Sequence, residues 1–213
     1  MVGVAIQESG YYYINKMARM TILTIEETIG AEAMQAIYRQ SEVPLTYYPP
    51  ADNFAKGFDF AYFAALNETI ERLYGPRGAR GLLVHAGRAG FTVGFAEFSG
   101  IMGAGELAFK AISLESKIKV GLRAVAETFS KFSDQPTTVE ETNDYFIYTI
   151  QRCPVCWGRH SDRPVCHIAL GVLDESMHWI SGGKSFFIEE VACIAMGAAA
   201  CSFHIHKQPV GQS

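Results

Sequence analysis

Four residues near the C-terminal end of this sequence have the types and spacing of a metal site: Cys166, then Glu190, Cys193 and Cys201 as Glu-x-x-Cys-x7-Cys. Thiolates are soft, deprotonable ligands that suit tetrahedral zinc, and a carboxylate oxygen serves as a fourth donor. A shell closed by four protein ligands is structural, because no position is left open for a substrate. The competing reading is three small buried hydrophobes, which free cysteine often is. Geometry sets a condition on the metal reading. On a straight strand Glu190 and Cys193 point to opposite faces, so both reach one ion only if the strand bends or bulges between them.

A second segment, Cys153-Pro154-Val155-Cys156-Trp157, offers a rival shell in which Cys153 and Cys156 join two of the remaining cysteines. The same CxxC spacing lowers thiol pKa and supports redox exchange. No thioredoxin-like strand and helix surround it, and CxxCW is not the CxxCH of covalent haem attachment. A knuckle-like turn with packed thiols is the plainer expectation.

Other candidates are weaker. His167 is a nitrogen donor next to Cys166, but on a helix it faces elsewhere. His204 and His206 alternate with Phe203 and Ile205 and so share one strand face, where a solvated strand edge is expected before a metal pair. His85 is expected as a hydrogen-bonded core histidine. Gly75 to Gly81 reads as a glycine-spaced turn whose Arg77 and Arg80 would assist anion binding, with a plain helix-to-helix connection favoured. Glu189 and Glu190 are adjacent on a strand and cannot pair as acid and base. No Ser-His-Asp ordering, HExxH helix or GxGxxG after a strand is present, which leans the chain away from enzymes.

Bulk properties exclude further classes. With 213 residues, 49% hydrophobic and 19% charged, the chain can bury a substantial core. Its net charge of -4 and lack of a basic run argue against nucleic acid as a partner. The first residues lack a signal peptide pattern, and no apolar stretch reaches the length of a membrane span, so a cytoplasmic protein without a transmembrane segment is expected. Thiols stay reduced there, and an odd count of five cysteines reads as metal ligands plus spares.

The elements that must position these residues follow from periodicity. Asn15 to Arg39 has helical spacing interrupted at Gly30; Phe58 to Leu73 is an amphipathic helix stopped by Gly75-Pro76; Phe91 to Met102 and Leu107 to Phe132 are helices with Phe91, Phe95, Phe98, Phe109 and Phe129 on inward faces, lining a core or a pocket. Thr137 to Glu141 and Tyr145 to Gln151 form a hairpin about Thr142-Asn143-Asp144. A helix over Val165 to Ile180 and strands over Ser185 to Ile194 and Cys201 to His206 complete the chain. The fold class is α+β: a helical part, 1–136, packed on a mainly antiparallel sheet with its helix, 137–213, integrated as one domain.

Pro164-Val165-Cys166-His167 with Gly171, Glu190-Val191-Ala192-Cys193, Met196-Gly197 and Cys201-Ser202-Phe203 together resemble the 4-vinyl reductase domain family, most strongly from Thr137 to Ile205. The resemblance implies a fold similar to trafficking protein particle subunits and to the sensor domain of phenol-responsive regulators, in which zinc is held by a cysteine and a Glu-x-x-Cys-x7-Cys pattern. Carried over, it implies structural Zn2+ on Cys166, Glu190, Cys193 and Cys201, which ranks this shell above the rival one; Cys153 and Cys156 keep their reading as a second metal or redox pair from their own CxxC spacing alone. It also implies a small hydrophobic ligand, either a tetrapyrrole (chlorophyllide) precursor or an aromatic compound, and a homodimer paired through helices. The alternatives are an enzyme or accessory subunit of bacteriochlorophyll vinyl reduction, and a protein-binding scaffold. The chain has no histidine just before the hairpin, where the regulators anchor a phenolic hydroxyl, so phenol specificity does not carry over.

Overall fold

The computed structural model describes residues 6–102 and 112–211. Among these residues five helices and six strands follow in the order β1 (Tyr12–Ile14), α1 (Asn15–Ile29), α2 (Ala31–Ser41), β2 (Lys56–Asp59), α3 (Phe60–Met102), α4 (Leu114–Phe132), β3 (Thr137–Glu141), β4 (Tyr145–Ile150), α5 (His167–Ser181), β5 (Phe186–Ala192) and β6 (Cys201–Pro209). Short 3-10 turns lie at Leu45–Tyr47 and Ile194–Met196.

Strand alternation makes the main sheet two-faced. Its order is β3-β4-β6-β5 with every neighbour antiparallel. Phe146, Tyr148 and Ile150 of β4 and Cys201, Phe203 and Ile205 of β6 are buried on the inner face. Each large apolar side chain removed from water there contributes roughly 1.5–3 kcal/mol before chain entropy is counted. α4 packs on β3, and α5 lies against both β5 and α3, so α5 is the layer that joins the long helix to the sheet.

The helical half departs from the sequence reading in instructive ways. Gly30 does separate α1 from α2, at a φ of 87° that glycine adopts without strain. Phe58, however, belongs to β2, which pairs with β1 in a two-stranded ribbon. The helix begins only at Phe60, where the Asp59 carboxylate accepts the amides of Ala61, Ser9 and Gly10. Gly75-Pro76 ends its first part as expected, and a second helical part follows at once across a kink. Gly75 (φ 69°, ψ 166°) kinks α3, and Pro76 re-enters helix in a first turn, where its missing N–H costs little. Gly78 and Gly81 are helical, so the stretch is the favoured helix-to-helix connection and not an anion-binding turn. His85 is exposed on α3, not in the core. Leu107 and Phe109, and the side chain of Phe98, lie outside the described residues; α4 starts at Leu114 with the Ser113 hydroxyl accepting the Ser116 amide.

The C-terminal half follows the pattern closely. β3 and β4 pair as the expected hairpin, α5 ends at Gly182 in the left-handed conformation, and β5 and β6 fall where expected. One correction concerns His204 and His206. β6 is an interior strand, and on its outer face Tyr145 sits 4.9 Å from the His204 ring and 4.8 Å from that of His206, with Phe187 5.1 Å from His206. Aromatic packing, not a solvated edge, accounts for the pair.

Candidate metal centre and apolar cavity

Five cysteines and one glutamate arrive at one point from four segments. Cys153 and Cys156 sit on the turn after β4, where the Cys156 amide donates to the Cys153 carbonyl (3.3 Å) and the Arg159 amide to that of Cys156 (3.1 Å). Cys166 immediately precedes α5, its amide donating to Glu190 Oε2 at 3.1 Å. The β5–β6 register shifts between Glu190 and Ala192, and Cys193 lies beyond the strand as the residue before a 3-10 turn. This irregularity meets the geometric condition set by the sequence, and Glu190 and Cys193 reach the same cluster. Cys201 opens β6 on its inner face, its Sγ accepting the Ile194 amide at 3.3 Å.

All five thiols are buried. Sγ of Cys156 is 3.2 Å from Cys166, 3.5 Å from Cys193 and 3.6 Å from Cys201; Cys166 is 3.5 Å from Cys201 and 3.3 Å from Cys153. Donor atoms of Cys166, Glu190, Cys193 and Cys201 lie within 4.8 Å of one another, and so do those of Cys153, Cys156, Cys166 and Cys201. The two shells that the sequence set in competition are one cluster sharing Cys166 and Cys201.

Electrostatics favour a cation here. Glu190 Oε1 is buried without a hydrogen-bond partner, and burial, with the neighbouring Cys193, pushes its carboxyl up to about 9. Hydrogen bonds from Cys153, Cys166, Cys193 and Cys201 draw the Cys156 thiol strongly down. An isolated buried thiolate is costly, and a divalent ion removes that cost by binding it, while a buried carboxylate beside the ion is favoured by the same charge. The donor set therefore fits a metal ion, and thiolates in this number fit a soft or borderline one.

His167 lies outside this group. It is buried, burial lowers it to about 4, and the charges near it are Arg80, Glu71 and Arg159. Arg159, which the sequence reading did not single out, anchors the cysteine turn: it donates to Glu71 Oε2 at 2.6 Å and to the Val155 carbonyl at 3.2 Å. Only its position three residues after Cys156 could have drawn notice.

Beside the thiols lies an apolar cavity of about 100 Å³ between α1, α3, α4 and α5. Met17, Met20, Phe63, Phe91, Phe95 and Phe129 contribute to its wall, and Gly87, Gly90 and Gly94 leave one face of α3 without side chains. That glycine stripe, at spacings of three and four, was visible in the sequence and was the overlooked signal for a pocket. Polar groups in the wall are engaged: the Tyr13 hydroxyl donates to Gln135 Oε1 at 2.8 Å and that of Thr21 to the Met17 carbonyl at 3.1 Å. A smaller space of about 30 Å³ shares Tyr13, Phe63, Phe129, Ile168 and Val172 with it and extends to Cys153, Pro154 and Val155. Among the described residues no helix is long and apolar enough to cross a membrane.

Solved structures similar to this chain are H-NOX proteins. The Fe(II) unliganded protein from K. algicida is 16% identical with a TM-score of 0.57, covering 94% of this chain and 100% of its own. The protein from S. oneidensis in the Fe(II)NO ligation state is 14% identical with a TM-score of 0.51, over 89% and 99% of the two chains. A mutant of the T. Tengcongensis protein is 13% identical with a TM-score of 0.58, over 92% and 98%. At these identities the likeness is one of fold. An iron centre held by imidazole or thiolate does not fit the cavity, since neither histidine nor cysteine is among the described residues that line it. No curated protein sequence matches the chain. The family model of the V4R domain matches residues 146–207, from β4 to β6 and including every cysteine. This match agrees with the 4-vinyl reductase resemblance over residues 146–207.

Proposed function

We propose that this protein binds a small apolar ligand, as a sensor or carrier, and that Zn2+ held by the cysteine cluster braces the fold around the ligand. The observation that carries this reading is the cavity, with its apolar wall and the glycine stripe that opens it; the smaller space that shares five wall residues with it borders the thiol-bearing turn. Its volume of about 100 Å³ is below the ~150 Å³ that accepts benzene, so it admits one aromatic ring at most, with the flexible Met17 and Met20 side chains adjusting. A tetrapyrrole precursor is far larger and would require the helices to part, so the aromatic class is favoured. The V4R domain and the fold shared with H-NOX proteins support small-molecule recognition, and no redox cofactor motif supports vinyl reduction.

The test is direct. Purified protein is titrated with benzene and a chlorophyllide, following melting temperature and ligand NMR. Saturable binding of the monocyclic aromatic supports the reading; binding of the chlorophyllide alone overturns the choice of ligand. Zinc content is read by elemental analysis of protein purified without added metal, and a metal-free, fully folded protein overturns the bracing role. Separation into the parts 1–136 and 137–213 is expected to leave neither folded, because α5 packs on both α3 and β5.

A further inference from the structure

We infer that Cys156, and not Glu190, supplies the fourth ligand of the metal centre, making a four-thiolate shell of Cys156, Cys166, Cys193 and Cys201. The inference rests on the metal-centre reading above and concerns the composition of its shell. In a regular tetrahedron with metal–sulfur bonds of ~2.3 Å, ligand sulfurs stand about 3.8 Å apart. Cys156 lies 3.2, 3.5 and 3.6 Å from Cys166, Cys193 and Cys201, and Cys166 lies 3.5 Å from Cys201. The remaining edges, from Cys193 to Cys166 and Cys201, are within 4.8 Å. Small outward adjustments bring these sulfurs to tetrahedral spacing. Cys156 is thus in contact with each of the three thiols common to the family's pattern.

Glu190 is held differently. Its Oε2 accepts the Cys166 amide at 3.1 Å, which orients the backbone of a ligand from outside the shell, as outer partners of metal ligands do. Cys153 contacts Cys166 at 3.3 Å and borders the smaller cavity, leaving it as the spare thiol. Four sulfurs also select for soft and borderline ions, Cd2+ and Zn2+, over hard ones.

Sulfur counting tests this. The full chain is loaded anaerobically with one equivalent of Zn2+ for X-ray absorption and of Co2+ for near-ultraviolet thiolate-to-metal absorption. Four sulfurs and no oxygen in the first shell of the unaltered protein are expected; three sulfurs with one oxygen overturns the inference while sparing the metal centre. Cys156→Ser should lower the charge-transfer band by about a quarter, as one thiolate of four is lost, with Glu190→Gln leaving the band intact. The reverse pattern overturns it. Protein that takes up neither ion removes the metal-centre reading and this one together, and the absorption measurement on the unaltered chain stands even if a variant fails to fold.

Discussion

Gly87 of α3 and Gly171 of α5 meet across a helix pair that touches backbone to backbone. A Cβ on Gly87 would stand 2.2 Å from the Ile168 carbonyl oxygen, and one on Gly171 2.1 Å from that of Val84. Both obstacles are main chain and cannot rotate away. This contact fixes α5, and with it Cys166 at its start, against the helix whose glycines open the cavity.

Gly171→Ala therefore reports on the contact by its sign. In an exposed helix the change would stabilise by ~1 kcal/mol. Here it should cost at least ~2 kcal/mol, lowering the melting temperature by about 4–8 °C for a chain of this size. Thermal denaturation followed by circular dichroism checks it, and an unchanged or higher transition would contradict the close packing.

Gly90 gives the opposite expectation. A Cβ there has no neighbour within 4 Å, so Gly90→Leu should fill the cavity with the fold retained and aromatic binding reduced at least tenfold, about 1.4 kcal/mol or more. Calorimetric titration of the variant with benzene measures this; full affinity would place the ligand elsewhere.

If the cluster holds the proposed ion, its removal with a strong chelator should lower the melting temperature by ~10 °C or more, since metal binding contributes directly to folding. Restored Zn2+ should recover it. Differential scanning calorimetry of the stripped and reloaded protein makes the comparison, and identical transitions would show that the thiols pack as well without an ion.

Glu141 links three elements, its oxygens lying 2.6 Å from Lys119 of α4 and 2.8 Å from Lys207 of β6. Those hydrogen bonds hold its carboxyl down at about 2 from an ordinary 4.5. A carboxyl lowered in the folded state contributes stability above its unfolded pKa and loses it as pH falls through the folded one. The contribution should therefore fade between about pH 4.5 and pH 2. Glu141→Gln should flatten the melting curve's dependence on pH across that window, in a series of melts at low salt; equal slopes for both proteins would rule the linkage out.

Much of the C-terminal half was legible because its signals are local. Thr142-Asn143-Asp144 marks a turn, Gly182 ends α5, and the opposed parity of Glu190 and Cys193 called for the irregularity found between Glu190 and Ala192. What escaped was non-local. β1 and β2 are strands of three and four residues paired across an intervening helix pair, too short to show a period. Gly75-Pro76 marks the break in α3 correctly, but that a second helical part follows at once, with Ala79 and Leu83 buried, is set by tertiary packing. The merging of both cysteine sets depends on how β4, α5, β5 and β6 assemble, which no spacing encodes.

The turn from Cys153 to Val155 borders both the smaller cavity and the thiol cluster. If the proposed guest and ion both bind, a guest that shifts the turn would alter the grip on the ion, and the ion would alter the guest's affinity by the same factor. Such coupling would let occupancy of the cavity be read at the thiol cluster.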